Sequence, residues 1–289
     1  MGFSLFGDYG ILGINARNLE YIRPFNPKKA KYFADSKLKT KQYLSARGIP
    51  VPKLIATVRS RKDLTKMDFS TLPDSFVIKP NAGYGGEGII VITKKLRERV
   101  WETISGKVIL EEDLRENIED ILDGKYSLAS LPDIALFETR LISAELIPGL
   151  VMKGLPDIRI VVFKLIPMLA MLRIPTPMSE GKANVHLGGI GVGVDIVTGK
   201  TTTATQYNKI ITQLPGGIRT AGHQIPHWEK ILRIASEAQL HANLGFLAVD
   251  IVMDENIGPV LIEINARSGL MVQIANRIPL KSRLERVKG

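Results

Sequence analysis

Cysteine is entirely missing from this 289-residue chain. Its absence excludes disulfides, thiolate nucleophiles and cysteine-ligated zinc or iron–sulfur centres, and it accords with a reducing compartment. Aromatic residues are scarce, at 6%. No aromatic–basic repeat occurs either, so a stacking platform for single-stranded nucleic acid is not indicated. Long apolar runs are missing too. The most apolar stretch, 158–174, is broken by Arg159, Lys164, Pro167 and Arg173, and nothing approaches a membrane-spanning helix. The first 13 residues lack the basic n-region of a secretory signal, and Phe6 stands where a myristoylation motif has Ser or Thr. We therefore read the chain as cytoplasmic, with no membrane partner. There is no G-x-S-x-G elbow, so the common nucleophile routes are thin. His223 and His227 are four apart, but Pro226 between them breaks the helical spacing a metal pair needs.

What is present is positive charge and a mixed pattern of strands and helices. Lys and Arg number 39 against 29 Asp and Glu, a net charge of +10. An anionic partner such as a nucleotide or an acidic peptide becomes plausible. Residues 1–34 read as an irregular basic arm. A helix is predicted over 36–47, closed by Gly48, and Pro50 and Pro52 then force extended chain. Strands are predicted at 76–80, 89–93, 134–147, 158–165, 168–174, 192–197, 201–206, 247–253 and 260–265. A second helix is predicted over about 227–243. The charged run Glu111-Glu112-Asp113 reads as a solvated face. Strands and helices do not alternate βαβα, so the expected class is α+β with antiparallel sheets, in two lobes. We divide the chain into an arm (1–34), a small lobe (35–135) and a large lobe (136–289).

Three groups of residues carry chemistry. The first is Lys79-Pro80-Asn81-Ala82-Gly83-Tyr84-Gly85-Gly86-Glu87-Gly88. A dinucleotide fold would need a helix after the glycines; β-branched residues follow instead, giving strand–loop–strand. Such a flap can close over phosphates, because Gly83, Gly85, Gly86 and Gly88 let backbone N–H groups approach without a Cβ in the way. Lys79 stands at its entrance. An ordinary glycine-rich hairpin is the plainer alternative. The second group is Asp250 with Glu263 and Asn265. Positions 263 and 265 share one strand face, and the three side chains offer hard oxygen donors suited to Mg²⁺ or Mn²⁺. A surface-facing edge strand is the alternative here. The third is Asp157-Ile158-Arg159 with Arg173, two guanidiniums suited to an acyl phosphate or carboxylate, or else to structural salt bridges. The run Gly193 to Thr201 has five residues between its glycines where a P-loop has four, and a hairpin turn at Thr198-Gly199-Lys200 explains it.

Taken in order, these motifs resemble the ATP-grasp ligases. More closely, they are similar to the α-L-glutamate ligase-like proteins, relatives of the enzyme that adds glutamates to a ribosomal protein's C-terminus. The resemblance runs from about Asp35 to Leu270. It implies an ATP-grasp fold whose two lobes clamp Mg·ATP. Lys37, Lys79 and the flap glycines would hold the phosphates, Glu138 the adenine and Asp157 the ribose side. Asp250, Glu263 and Asn265 would bind the metal, and Arg159, Arg173 and Asn184 would serve the reacting groups. Asn184 lies in Ala183-Asn184-Val185-His186-Leu187-Gly188-Gly189, where Ala183 replaces a hydroxyl residue. The implied cofactors are ATP and Mg²⁺ (or Mn²⁺), and the implied partners are an amino-acid donor and a carboxylate-bearing acceptor. The stretch before Lys37 is too short for the family's usual N-terminal α/β lobe, so the acceptor site is expected to be built otherwise. Two other readings stay open: an inactive scaffold that kept the fold, and a basic nucleic-acid-binding protein, which only the net charge favours. Homo-oligomer formation is also open.

Overall fold

The computed structural model describes residues 10–127, 130–152, 154–179 and 181–288. The chain forms two compact units. The smaller comprises Ser36–Lys41 and Val51–Leu141; the larger comprises the chain up to Asp35, Gln42–Pro50 and everything from Ile142 onward.

The smaller unit is built on a six-stranded antiparallel sheet. Its strands are β1 (Leu54–Val58), β2 (Phe76–Pro80), β3 (Ile90–Arg97), β4 (Val100–Thr103), β5 (Val108–Leu110) and β6 (Ala135–Thr139), in the order β1-β6-β2-β3-β4-β5. Alternation along β2 decides its two faces. Phe76 and Ile78 enter a core with Ile92, Trp101, Ile109 and Phe137. The helix Glu111–Leu122 covers that core with Leu114, Ile118 and Ile121. The acidic run 111–113 forms this helix's first turn and so is more than a solvated face. The Asp113 carboxylate accepts the Leu110 N–H at 2.7 Å, and three carboxylates complement the positive end of the helix dipole. Val77 and Lys79 occupy the opposite face of β2, and Glu138 of β6 stands directly across from Val77.

The larger unit holds a seven-stranded antiparallel sheet. Its members are β7 (Asp157–Phe163), β8 (Ile166–Ile174), β9 (Ile190–Val194), β10 (Thr201–Gln206) and β11 (Lys209–Ile211), with β14 (Phe246–Asp254) and β15 (Gly258–Asn265) beside β7. The short strands β12 (Gln213–Leu214) and β13 (Ile218–Arg219) pair separately. The helix Trp228–Ala242 packs on β7, β8, β14 and β15. On the other face, Val161, Phe163, Leu169, Phe246 and Ala248 form a core with helices Met271–Asn276 and Leu280–Lys288.

The N-terminal segment completes that second core, and here the structure differs from the irregular arm expected. Residues 14–25 are helical, with a π-helical stretch at Arg17–Ile22, and Lys28–Ala34 forms a further helix. Tyr21 packs edge-on against Phe163 with ring centroids 5.6 Å apart. The Asn26 amide donates to Phe246 O (2.7 Å) and Ala266 O (3.1 Å) and accepts from Phe246 N (3.0 Å). Tertiary burial thus outweighs a local sequence with two prolines and little helical periodicity.

Candidate active site

Alternation alone explains why one face of the large sheet changes character along its length. On β7, residues 157, 159, 161 and 163 share a face. Val161 and Phe163 sit in the apolar core, whereas Asp157 and Arg159 lie at the other end. The register places Asp157 opposite Arg173 and Arg159 opposite Asp250. Asp250 in turn pairs with Glu263, and Ala248 with Asn265. One extra residue on β15 makes a bulge there, as Asp250 pairs with Glu263 but Ile251 with Leu261. Bulges re-aim side chains beside sites of this kind.

The six side chains that the sequence placed in two separate motifs therefore form one cluster. Arg159 meets Asp250 with Nε on Oδ1 at 2.7 Å and Nη2 on Oδ2 at 2.6 Å. Arg173 forks onto Asp157 at 2.6 and 2.5 Å and also donates to Asp250 Oδ2 at 3.0 Å. The Asn265 amide donates to the same oxygen at 3.1 Å. Burial pushes the Asp250 carboxyl up, but Arg159 and Arg173 together outweigh it and bring it down to about 2. Asp157 is hydrogen-bonded by Arg173, with the charge of Arg159 also favouring its ionised form and the like charge of Asp250 opposing it. Burial wins there and raises its carboxyl to about 6. Burial works against the Arg173 guanidinium, yet Asp157 and Asp250 hold it above its ordinary value.

The cluster can be tested for a divalent cation. Among the described residues no group of three or more His, Cys, Asp or Glu side chains is placed to hold a metal. A metal would thus rest on Asp250, Glu263 and Asn265, two carboxylates and one amide. Asp250 Oδ2 already receives three N–H groups, while Oδ1 receives one. Three carboxylates (Asp157, Asp250, Glu263) face two guanidiniums, so the local sum is negative, and the donors are all hard oxygens. That chemistry fits Mg²⁺.

In the smaller unit, Asn81 directly follows β2 and caps a helix that lies earlier in the chain. Its Oδ1 accepts from Leu38 N at 2.9 Å and Ser36 Oγ at 3.0 Å, which fixes the start of helix Lys37–Ser45. Lys37 Nζ donates to Gly83 O at 2.7 Å, and so reaches the glycine loop. Gly88 adopts φ +68°, and a Cβ there would lie 2.4 Å from the Tyr126 ring, so only glycine fits. Gly85 and Gly86 have φ +66° and +80°. A Cβ on Gly83 would meet Pro80 at 2.2 Å.

Lys79 Nζ lies 2.5 Å from Glu138 Oε2, a diagonal contact across β2 and β6. Glu138 also accepts from Lys41 Nζ at 2.7 Å on each oxygen. Burial pushes the Glu138 carboxyl up, but Lys79 and Lys41 bring it below its ordinary value. Burial, reinforced by the charge of Lys79, pushes the Lys41 ammonium well down, against the pull of Glu138.

Lys41 escaped the sequence reading. Its signal was the four-residue step from Lys37, which places both lysines on one helix face. Asn184 is not joined to the arginine cluster by any hydrogen bond among the described residues. Its Oδ1 accepts from His186 N at 3.0 Å and starts the turn Val185–Leu187. The P-loop look-alike is a turn in which the Asp195 carboxylate accepts from Thr198 N and Val197 N.

The α+β architecture, the glycine loop between antiparallel strands and the oxygen-rich sheet face define an ATP-grasp protein. Residues 16–289 match the family described as sugar-transfer associated ATP-grasp, and the chain belongs to that family. It has no match among curated proteins. Solved structures of similar fold include the ATP-grasp ligase PsnB complexed with minimal precursor. That likeness has 14% identity, 91% of this chain, 63% of PsnB and a TM-score of 0.47. The D-alanine–D-alanine ligase of Bacillus anthracis, complexed with ATP, gives 14% identity, 89% and 69% coverage and a TM-score of 0.43. The L-amino acid ligase of Bacillus licheniformis gives 13% identity, 93% and 52% coverage and a TM-score of 0.49. The chain spans less than two thirds of PsnB's length. No helix of the described residues is long and apolar enough to cross a membrane.

Proposed function

We propose that the chain is an ATP-dependent carboxylate–amine ligase that works through an acyl phosphate. The reading is carried by one observation: Arg159, Arg173, Asp250, Glu263 and Asn265 converge on a single sheet face. Membership of the ATP-grasp family supports it. In the first step a substrate carboxylate oxygen attacks the γ-phosphorus of ATP, the bond to the β-phosphate oxygen breaks, and ADP leaves. In the second, an amine attacks the acyl carbon and loses a proton, and inorganic phosphate departs. Lys37, Lys79 and the loop glycines 83, 85, 86 and 88 bind the triphosphate. Arg159 and Arg173 stabilise charge on the transferred group and the acyl oxygens. Asp250, Glu263 and Asn265 would hold Mg²⁺, which neutralises phosphate charge when bound. Positioning and electrostatics do the work, so the absence of a protein nucleophile is no obstacle. The roles of Glu138 on the adenine, Asp157 near the ribose and Asn184 near the acceptor remain part of this proposal. So do glutamate as the amino acid added and a cytoplasmic location.

The test has two parts. Mg·ATP at millimolar concentration is expected to raise the melting temperature of the whole chain. An ADP-release screen over pairs of amino acids and acidic peptides, read by mass spectrometry, is expected to show one pair giving stoichiometric ADP and amide. The family's description associates it with sugar transfer, so amino sugars and uronic acids belong in the screen. Amide without ADP, or equal ADP with every pair, would defeat the ligase; binding without turnover on any pair would favour the inactive scaffold.

A further inference from the structure

A buried ion pair is electrically neutral, and a neutral pair has little pull on a phosphate. This bears directly on Lys79. Its ammonium is in contact with Glu138, and both side chains are almost out of solvent, 11% and 3% exposed. Left as a pair, the two charges would cancel. Lys41 changes that sum. Its side chain is 7% exposed, and its Nζ lies 2.7 Å from both oxygens of the same carboxylate. Two ammoniums now share one carboxylate, and the formal sum is +1. Both oxygens of Glu138 are engaged by Lys41, and Oε2 is shared with Lys79.

The helix explains how Lys41 gets there. Lys37 and Lys41 are four residues apart, on one face, and Lys37 Nζ reaches Gly83 O at 2.7 Å. The same face therefore touches the loop with its first lysine and Glu138 with its second. Burial and the charge of Lys79 disfavour the ammonium form of Lys41. A phosphate beside Lys79 acts in the opposite direction and favours it.

We infer that Lys41 is a positioning residue for phosphate binding: it engages both oxygens of Glu138 and shares Oε2 with Lys79, so that Glu138 orients Lys79 without cancelling its charge. The inference rests on the ATP-binding reading above. The ligand class is a nucleotide's phosphate groups, and Lys41 itself does not touch them.

The experiment uses the whole chain and Mg·ATP as the probe, with calorimetric binding and melting temperature recorded on each variant. Lys41→Met is expected to weaken Mg·ATP binding at least tenfold, because Lys79 and Glu138 are left as a neutral pair. Lys41→Arg is expected to bind within threefold of wild type. The double variant Lys41→Met/Glu138→Gln removes the carboxylate as well, frees the Lys79 charge, and is expected to bind Mg·ATP at least threefold more tightly than Lys41→Met. A purely structural Lys41 would not give that recovery. Wild-type affinity in Lys41→Met, or a double variant no tighter than Lys41→Met, overturns the inference. Should Lys41→Met fail to fold, Lys41→Arg decides, and a tenfold loss there overturns the inference. A wild-type chain that does not bind Mg·ATP would remove the ligase reading along with this inference. Wild-type binding with an indifferent Lys41→Met removes this inference alone.

Discussion

Arg159 holds Asp250 by two parallel hydrogen bonds, at 2.7 and 2.6 Å, from the directly opposed position on the neighbouring strand. The pair is not closed, because Arg173 also donates to Asp250 while forking onto Asp157. Removing Arg173 therefore leaves Asp157 without its partner, whereas removing Arg159 leaves Asp250 still bonded to Arg173. Arg173→Met is expected to destabilise the protein by about 3–5 kcal/mol, and Arg159→Met by less. Urea denaturation of the two variants tests that order, and equal losses would contradict the geometry.

The same cluster gives a pH dependence with opposed signs. Asp157 is raised to about 6 in the folded chain from an ordinary 3.8, so the folded state holds more protons between those values. Its contribution to stability is complete only below about 3.8, the ordinary value, and is lost as pH rises through 6. Asp250, lowered to about 2, contributes stability above its ordinary value that is lost as pH falls toward 2. Wild type is therefore expected to exceed Asp157→Asn most at pH 4, with the difference shrinking by pH 7. Denaturation curves at four pH values between 4 and 7 would show it, and a difference growing with pH would refute the assignment.

Glu263 stands across from Asp250 and supplies the second carboxylate of the proposed metal set. For wild type, the melting-temperature gain in Mg·ATP should exceed that in ATP with chelator. At about 100 times Kd a ligand adds about 2.7 kcal/mol. In Glu263→Ala the two gains should become equal. A magnesium-dependent increment that survives this substitution would place the metal elsewhere.

Gly88 combines a left-handed backbone with close approach to Tyr126. Gly88→Ala is expected to weaken Mg·ATP binding several-fold. The added Cβ must displace the ring as well as occupy a strained φ, which costs about 1 kcal/mol by itself. Gly88→Ala/Tyr126→Ala should recover part of the loss, since space returns while φ stays strained. Calorimetric titration of both variants checks this, and no recovery would mean the loop tolerates no displacement.

Much of this protein could be read directly from its amino acids. The alternation in Phe76-Val77-Ile78-Lys79 places two side chains in a core and the lysine on the other face. The two-residue step from Glu263 to Asn265 puts both on one face, and the β-branched residues after Gly88 exclude a dinucleotide helix. These are consequences of local backbone geometry, with periods of 2.0 and 3.6 residues, and need no partner. What the tertiary structure alone decided is which faces meet. Arg159 and Asp250 are 91 residues apart, and only strand order and register bring them together. Lys41 and Glu138, 97 apart, join for the same reason. The N-terminal segment is helical because Tyr21 and Asn26 find Phe163 and Phe246 to pack and bond against, a stabilisation that no local pattern encodes. Charge compensation is a property of neighbours in space. The sequence could therefore name the charged residues, and only the fold could pair them.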